Sequence, residues 1–429
     1  MKRLTLTLCA LATPLFAENR IDIIRPDAPE LAAFGAAPIG VRQLQLTDPD
    51  RIDVIATQTE GTPPTAPRML TIELWYPAAD GTAEGGSYAA LLRDGATEVT
   101  LEGRALRDAA PANGSFPLIL LSHGYPGNRF LMSHLGENLA SKGYVVAAID
   151  HPDSTYDDLG PFPSTLVNRP VDQAFALEAL ATLDDPIGAV IDADRTGIIG
   201  YSMGGYGALI FAGGGLAQSA IDRREPAHFN APQDLLARHL AGSTTHGALQ
   251  DERLSAVVAI GPWGRNRDFW DANGLSAIDT PLMLVAGSVD DVSGYDAIRT
   301  IFEESTGTDR LLLTYENANH NAAAPIPAPA ESYAVSEVLG WAPFEHYADP
   351  VWDSVRMNNV LAHFVTAFMD LHLKDAPERT EYLDVIPIAA DGVFDMSDDG
   401  VAGPDHSYWP GFPNRTASGL RLERLDAGD

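Results

Sequence analysis

One short motif has the residue types and spacing of a serine nucleophile. Gly200-Tyr201-Ser202-Met203-Gly204 is the only Gly-x-Ser-x-Gly segment in the chain. It directly follows the apolar run 196–199 and directly opens a run of small and apolar residues at 203–212. In such a strand–turn–helix setting the serine hydroxyl is exposed at the carboxyl edge of a sheet, and glycines are needed because larger side chains would collide at the turn. We therefore favour Ser202 as a nucleophile over a serine that only caps the following helix.

A base and an acid follow this serine along the chain. A serine hydroxyl needs a base that is oriented by an acid, and in this setting the chain order is serine, acid, histidine. Asp290 lies three residues after Gly287, which ends an apolar run, and it is the first candidate for the acid; the adjacent Asp291 is the alternative. His320 follows the next apolar run by a short loop and is the candidate base, since the later histidines lie in helical or irregular polar stretches.

Two backbone amides are expected to stabilise the negative charge of a tetrahedral intermediate. The first is the amide of Met203, which follows the nucleophile. The second is expected in the loop after the apolar run 118–122, which reads His123-Gly124-Tyr125-Pro126-Gly127. Tyr125 is the candidate donor, because Pro126 has no N–H group.

Apolar runs of five to eight residues alternate with helical patterns along most of the chain. Strands are predicted at 41–46, 69–76, 116–122, 144–150, 196–201, 254–261, 281–287 and 310–315, and helices at 131–142, 171–183, 203–212 and 351–374. Continuous apolar strands separated by helices are typical of a parallel sheet that is covered on both faces. The predicted fold class is therefore α/β, with a mostly parallel central sheet.

Two segments interrupt this alternation. Residues 213–251 form a long polar connection, interpreted either as a lid or wall of the substrate cleft or as a surface excursion. Residues 375–429 are rich in Asp, Gly and Pro, and we expect them to form an extension that packs on the main domain, residues 18–374.

The composition excludes several functions. The formal net charge is −31 at pH 7, so the surface repels nucleic acid and anionic membranes. After the first residues, no stretch reaches the roughly 18 apolar residues of a membrane helix. The sequence does not indicate an oligomeric state.

Residues 1–17 have the features of a signal peptide. Two basic residues precede the apolar run 4–16, and cleavage is expected near Ala17, which predicts an exported protein, periplasmic or extracellular. Cys9, the single cysteine, lies in this segment. The mature chain would then contain no disulfide, cysteine nucleophile or cysteine metal site.

Four segments together resemble a bacterial branch of the dienelactone-hydrolase-like esterases, close to the plasma and type II platelet-activating-factor acetylhydrolases. They are Ser122-His123-Gly124-Tyr125, the run 140–146, Asp150-His151-Pro152-Asp153 and the run 200–205. The resemblance implies the α/β-hydrolase fold, a Ser202–Asp290–His320 triad, and Tyr125 and Met203 as oxyanion donors. It implies no metal and no organic cofactor, and it favours a small or lipid-like ester as the substrate.

Polyester-degrading cutinases share part of this pattern, including Pro262-Trp263, where they carry a tryptophan that lines the cleft. Trp263 is therefore a candidate substrate-binding residue, with a core tryptophan at the end of the sheet as the alternative, and a polyester is the second candidate substrate. Dienelactone hydrolases proper use a cysteine nucleophile, so dienelactone itself is not the expected substrate. The remaining alternatives are a peptidase of the prolyl-oligopeptidase type and a binding protein that has kept the fold without the chemistry.

Overall fold

A large twisted sheet organises the chain in the computed structural model, which describes residues 18–397 and 399–429. The predicted signal peptide, with Cys9, lies outside the described residues. The strands are β1 (Asn19–Arg20), β2 (Ile39–Ile52), β3 (Thr65–Pro77), β4 (Gly86–Leu91), β5 (Glu98–Gly103), β6 (Leu106–Arg107), β7 (Phe116–Ser122), β8 (Val145–Asp150), β9 (Ile191–Tyr201), β10 (Leu254–Ile260), β11 (Leu282–Gly287), β12 (Arg310–Tyr315) and β13 (Leu420–Leu425). The helices are α1 (Ser133–Ser141), α2 (Phe162–Ala181), α3 (Met203–Phe211), α4 (Gln218–Asp222), α5 (Thr244–Gly247), α6 (Ala272–Leu275), α7 (Tyr295–Glu304) and α8 (Ser354–Leu373).

The main sheet has ten strands in the order β13-β12-β11-β10-β9-β7-β8-β3-β2-β6. The six strands from β12 to β8 are mutually parallel, whereas β13, β3 and β2 pair antiparallel with their inner neighbours. Because parallel strands end at the same edge, the carboxyl ends of β7, β9, β10, β11 and β12 come together. The predicted α/β class with a mostly parallel sheet is confirmed.

Helices cover both faces of this sheet, since alternate strand residues point to opposite sides. On one face Ile119 and Leu121 of β7 pack in a core with α1 and α8. On the other face Leu118 and Leu120 pack in a core with α2, α3 and α7. Both faces of the sheet are therefore shielded from water, which explains why the central strands appear in the sequence as continuous apolar runs.

Several elements differ from the sequence prediction, among them helix α7 and strand β13, neither of which was predicted. Helix α2 begins at Phe162, before the predicted start at 171, because the helix continues through Pro170 rather than starting after it. Strand β2 is longer than the predicted run 41–46, since it forms a long antiparallel ribbon with β3. A second sheet of three strands, β1-β5-β4, was not predicted.

Residues 213–251 form short helical segments that pack beside α2 and α3. The imidazole Nε2 of His239 lies 2.7 Å from the Val167 carbonyl oxygen, and that of His246 lies 3.0 Å from the Ile210 carbonyl oxygen. Phe229 of this segment is buried and packs against Trp263, with ring centroids 5.5 Å apart. The segment is thus connected to the wall of the candidate site.

The segment 375–429 contributes to both the sheet and the core. Its strand β13 pairs antiparallel with β12, from Arg310 opposite Leu425 to Tyr315 opposite Leu420. Trp409 packs against Phe364 of α8, with ring centroids 5.7 Å apart. Within the described part of the chain, no helix combines the length and the apolar character needed to span a membrane.

Candidate active site

Ser202 lies on a strained turn between β9 and α3. Its backbone has φ 53° and ψ −109°, a conformation that L-residues rarely adopt. A Cβ atom on Gly204 would lie 1.9 Å from the Ser122 carbonyl oxygen, and one on Gly200 would lie 2.3 Å from the Gly204 carbonyl oxygen. The two glycines are therefore required for the close approach of β7, β9 and α3 around Ser202, which lines a cavity.

The structure brings Ser202, His320 and Asp290 together in one hydrogen-bonded chain. The Nε2 atom of His320 lies 3.1 Å from Ser202 Oγ, and its Nδ1 atom lies 2.8 Å from Asp290 Oδ2. An ionised carboxylate only accepts, so Nδ1 carries the proton and Nε2 is free to accept the serine hydroxyl proton. This is the geometry of an activated serine nucleophile.

The carboxylate of Asp290 is held in place by its own loop. It is 5% exposed, and its Oδ1 atom accepts hydrogen bonds from the backbone amides of Val292 (2.9 Å) and Ser293 (2.8 Å). Burial raises the pKa of Asp290, but the hydrogen bond and charge of His320 and the two amides outweigh it and lower the pKa below its usual value. Asp291, the alternative acid, is exposed and makes no hydrogen bond to His320.

Tyr125 and Met203 both line the cavity that contains Ser202. Within the described residues, neither backbone amide donates a hydrogen bond to another protein group. The loop that carries Tyr125 is fixed by His123, whose Nδ1 donates to the Gly124 carbonyl oxygen (2.7 Å), and by Arg169, which donates to the His123 carbonyl oxygen. Within the described residues both amides are therefore unpaired, which is a requirement for donors to an oxyanion.

The cavity beside Ser202 has a volume of about 470 Å³, and its walls combine aromatic side chains with charged and polar ones. Tyr125, Phe162, Trp263 and Trp341 all line it. The Trp263 ring also packs against Phe162, Phe229, Phe269 and Tyr206, with centroids 5.1 to 6.0 Å apart, and it is only 8% exposed. Trp263 therefore both lines the cavity and belongs to the core, so each of the two sequence interpretations describes part of its environment.

Sequence reasoning missed a second Ser–His–Asp group. It lies behind the loop 123–127, which carries Tyr125 and is called the oxyanion loop below. His151 Nε2 lies 2.9 Å from Ser122 Oγ, and His151 Nδ1 lies 3.1 Å from Asp172 Oδ2. All three side chains are at most 1% exposed, so substrate cannot reach them. The side-chain amide of Gln173 donates both to Ser122 Oγ (2.9 Å) and to the Gly204 carbonyl oxygen (3.0 Å). The group therefore connects α2 to the strand that carries the oxyanion loop and to the helix that follows Ser202.

The charges of this buried group are fixed by burial and by neighbouring arginines. Burial raises the pKa of Asp172, but Arg68, His151 and Arg51 outweigh it and hold the pKa well below its usual range. Burial, together with the positive charge of Arg169, lowers the pKa of His151 to about 3. His151 is therefore neutral at pH 7, and its two nitrogens bridge the serine and the carboxylate. The sequence signal was present as polar residues spaced by four on the buried face of α2, namely Asn168, Arg169, Asp172 and Gln173.

Over residues 18–397 and 399–429, no group of three or more His, Cys, Asp or Glu side chains is arranged to hold a metal ion.

The chain is similar in sequence to a PET hydrolase-like family and to proteins named as cutinases. A model of the PET hydrolase-like family matches residues 105–226, which include the oxyanion loop and the Ser202 turn. Cutinase est1 from Thermobifida alba is 26% identical over 217 residues, which is 49% of this chain and 55% of that protein. Cutinase 2 from Thermobifida cellulosilytica is 31% identical over 217 residues, 49% of this chain and 62% of that protein. The chain thus spans about half the length of the curated relatives it matches.

The fold is similar to that of a solved esterase. A ferulic acid esterase from Streptomyces cinnamoneus superimposes with a TM-score of 0.53 and 22% sequence identity, over 81% of this chain and 94% of that chain. The predicted α/β-hydrolase fold is confirmed. The cutinase-like part of the predicted resemblance is confirmed as well, whereas the closer resemblance to dienelactone-hydrolase-like and platelet-activating-factor acetylhydrolases stays a prediction.

Proposed function

We propose that this member of the α/β-hydrolase superfamily is a serine hydrolase that cleaves carboxylic esters. The observation that carries the proposal is the hydrogen-bonded chain from Ser202 through His320 to Asp290, beside a cavity that Tyr125 and Met203 also line. Similarity to cutinases, whose names denote ester hydrolysis, supports the same reaction class.

In the proposed mechanism Ser202 Oγ attacks the ester carbonyl carbon while His320 Nε2 takes the hydroxyl proton. Asp290 stabilises the imidazolium, and the amides of Met203 and Tyr125 donate hydrogen bonds to the carbonyl oxygen as it gains negative charge. The intermediate collapses, the C–O bond to the alcohol breaks, and His320 gives its proton to the departing alkoxide. A water molecule then attacks the acyl-enzyme with His320 again as base, which releases the acid and restores the Ser202 hydroxyl.

A small or lipid-like ester is the proposed substrate class. A cavity of about 470 Å³ with aromatic walls suits a compact ester that has an apolar or aromatic portion. A polyester is the second candidate, and the sequence similarity to the PET hydrolase-like family and to cutinases favours it. We also propose that the enzyme is exported, because residues 1–17 have the composition of a signal peptide.

The nucleophile is tested with Ser202→Ala and a series of nitrophenyl esters of increasing acyl length. Removal of a triad nucleophile lowers kcat by roughly 10³-fold or more, and labelling by a fluorophosphonate probe should be lost with it. Ser87→Ala, at an exposed serine of β4, is the matched control and should react like the unmodified protein. Near-normal hydrolysis by Ser202→Ala would refute the assignment, whereas mass spectrometry that locates the probe on Ser202 would support it.

A further inference from the structure

One arginine of the cavity has no anionic partner among the residues that the structure describes. Arg93 lies in the turn between β4 and β5 and lines the same cavity as Ser202 and His320. No carboxylate of the described residues lies within 4.0 Å of its guanidinium, and its side chain donates no hydrogen bond to them. None of its guanidinium nitrogens is fully buried, so its five N–H donors are accessible to a ligand in the cavity.

The turn that carries Arg93 is held rigidly. The Leu92 amide donates to the Thr97 carbonyl oxygen (2.9 Å), and the Arg93 amide donates to the Tyr347 hydroxyl (3.1 Å). The neighbouring carboxylate of Asp94 is occupied, since it accepts from the amides of Ala96 and Thr97 and from the hydroxyls of Thr97 and Ser336. The backbone of Arg93 is therefore held in place, and its guanidinium is not neutralised by the adjacent acid.

Two other polar side chains that line the cavity, Asn321 and His346, already make hydrogen bonds within the protein. Asn321 donates to the carbonyl oxygens of Glu345 and Ala348 and accepts from the Tyr201 hydroxyl. His346 Nε2 lies 2.8 Å from the Tyr156 hydroxyl. The acidic side chains that line the cavity, Asp291 and Glu345, are exposed and form no ion pair with Arg93. Arg93 is thus a cationic group of the cavity lining that remains available to an anionic ligand.

Building on the proposed ester hydrolase function, we propose that Arg93 selects esters that carry an anionic oxygen group, a carboxylate or a phosphate, at the end away from the reacting bond. A guanidinium binds either anion through paired N–H donors. The aromatic walls accommodate the apolar part between the two ends, so half-esters of aromatic dicarboxylic acids are the first example. Because the whole molecule carries a net charge of −31, a local cation is needed to offset the general repulsion of an anionic substrate.

The test compares two methyl esters of the same shape: monomethyl terephthalate, which has a carboxylate, and methyl 4-methylbenzoate, which has none. Arg93→Gln should lower kcat/KM about 10- to 100-fold for the anionic ester, the range of a charge-assisted hydrogen bond, and change it less than about twofold for the neutral ester. Arg93→Lys should keep part of the preference, since it keeps the charge without the paired donors. Arg267→Gln is the matched control, because Arg267 is exposed, lies outside the cavity lining and carries the same charge.

A second pair of substrates identifies the source of the anion. Dihexanoyl glycerol 3-phosphate and dihexanoyl glycerol differ by one phosphate, so a selective effect of Arg93→Gln on the former assigns a phosphate-bearing lipid, whereas an effect only on monomethyl terephthalate assigns a carboxylate. Equal effects on the charged and neutral member of both pairs would overturn the role of Arg93 and leave ester hydrolysis intact. Failure of the unmodified protein to cleave any ester or to react with a fluorophosphonate would instead overturn the proposed function.

Discussion

Asp290 and Asp291 are adjacent in the chain, but only Asp290 contacts the candidate base. Its Oδ2 atom lies 2.8 Å from His320 Nδ1, while Asp291 is exposed. Asp290→Asn should therefore lose the correct His320 tautomer and lower kcat by roughly 10⁴-fold. Asp291→Asn, which removes the same charge one residue away, should cost far less. The measurement is kcat on a nitrophenyl ester at pH 8, and the opposite ranking would transfer the role to Asp291.

Trp263 lines the cavity and also packs in the hydrophobic core, so replacing it with a smaller residue should have two effects. Loss of a buried tryptophan leaves a void, and Trp263→Ala should lower the free energy of unfolding by about 3–5 kcal/mol. The same change removes part of the cavity wall and should raise KM for aromatic esters more than for acetate esters. Trp263→Phe keeps much of the packing and serves as the control. Unchanged stability in Trp263→Ala would contradict the core contacts, and a uniform KM change would contradict the role in the cavity.

At the level of single residues, the sequence predicted those site residues whose signals are local. The Ser202 turn is a short motif, and His320 follows a strand by a short loop, so neither required knowledge of distant contacts. The sequence left open which of Asp290 and Asp291 is the acid, because the answer depends on how their loop orients each carboxylate relative to His320. Arg93 was not predicted. It lies in the turn between β4 and β5, and the small sheet that contains these strands had no clear signal in the sequence.

At the level of elements, the central parallel strands were predictable and the additions to them were not. β7, β10, β11 and β12 are buried on both faces, so each appears as an uninterrupted apolar run close to its observed bounds. β13 alternates charged and apolar residues and gains its stability from pairing with β12, a contact between segments more than a hundred residues apart. Local sequence cannot specify such a partner.

The edge position of β13 leads to a prediction about truncation. A chain that ends after Gly419 lacks β13 and leaves the outer edge of β12 unpaired, and the centre of β12 is the apolar run 311–313. An uncovered apolar edge strand promotes association between chains. We expect the truncated protein to aggregate and to show a lower melting temperature, as measured by light scattering and thermal denaturation. A chain that ends after Asp426 retains β13 and is the control; equal behaviour of the two truncations would contradict a stabilising role of β13.

At the level of the whole molecule, the excess of acidic residues should make stability depend on salt. With a net charge of −31 at pH 7, repulsion between like charges opposes the compact state. The Debye length, beyond which exposed charges no longer interact strongly, falls from about 10 Å at 0.1 M salt to about 3 Å at 1 M. The buried ion pairs around Asp172 are screened less. The melting temperature should therefore rise between about 0.05 and 0.5 M NaCl, and equally with KCl. A falling melting temperature would mean that surface ion pairs outweigh the general repulsion.

The position of β13 in the chain also has a consequence for biosynthesis. The ribosome completes β12 at Tyr315 but must add about 105 further residues before it reaches Leu420, where the strand that covers β12 begins. At roughly 5–20 residues per second, the outer edge of β12 lacks its partner for about 5–20 s in every round of translation. Closure of the sheet is thus a late event, and the newly made chain spends that interval with its apolar edge available to chaperones or to other nascent chains.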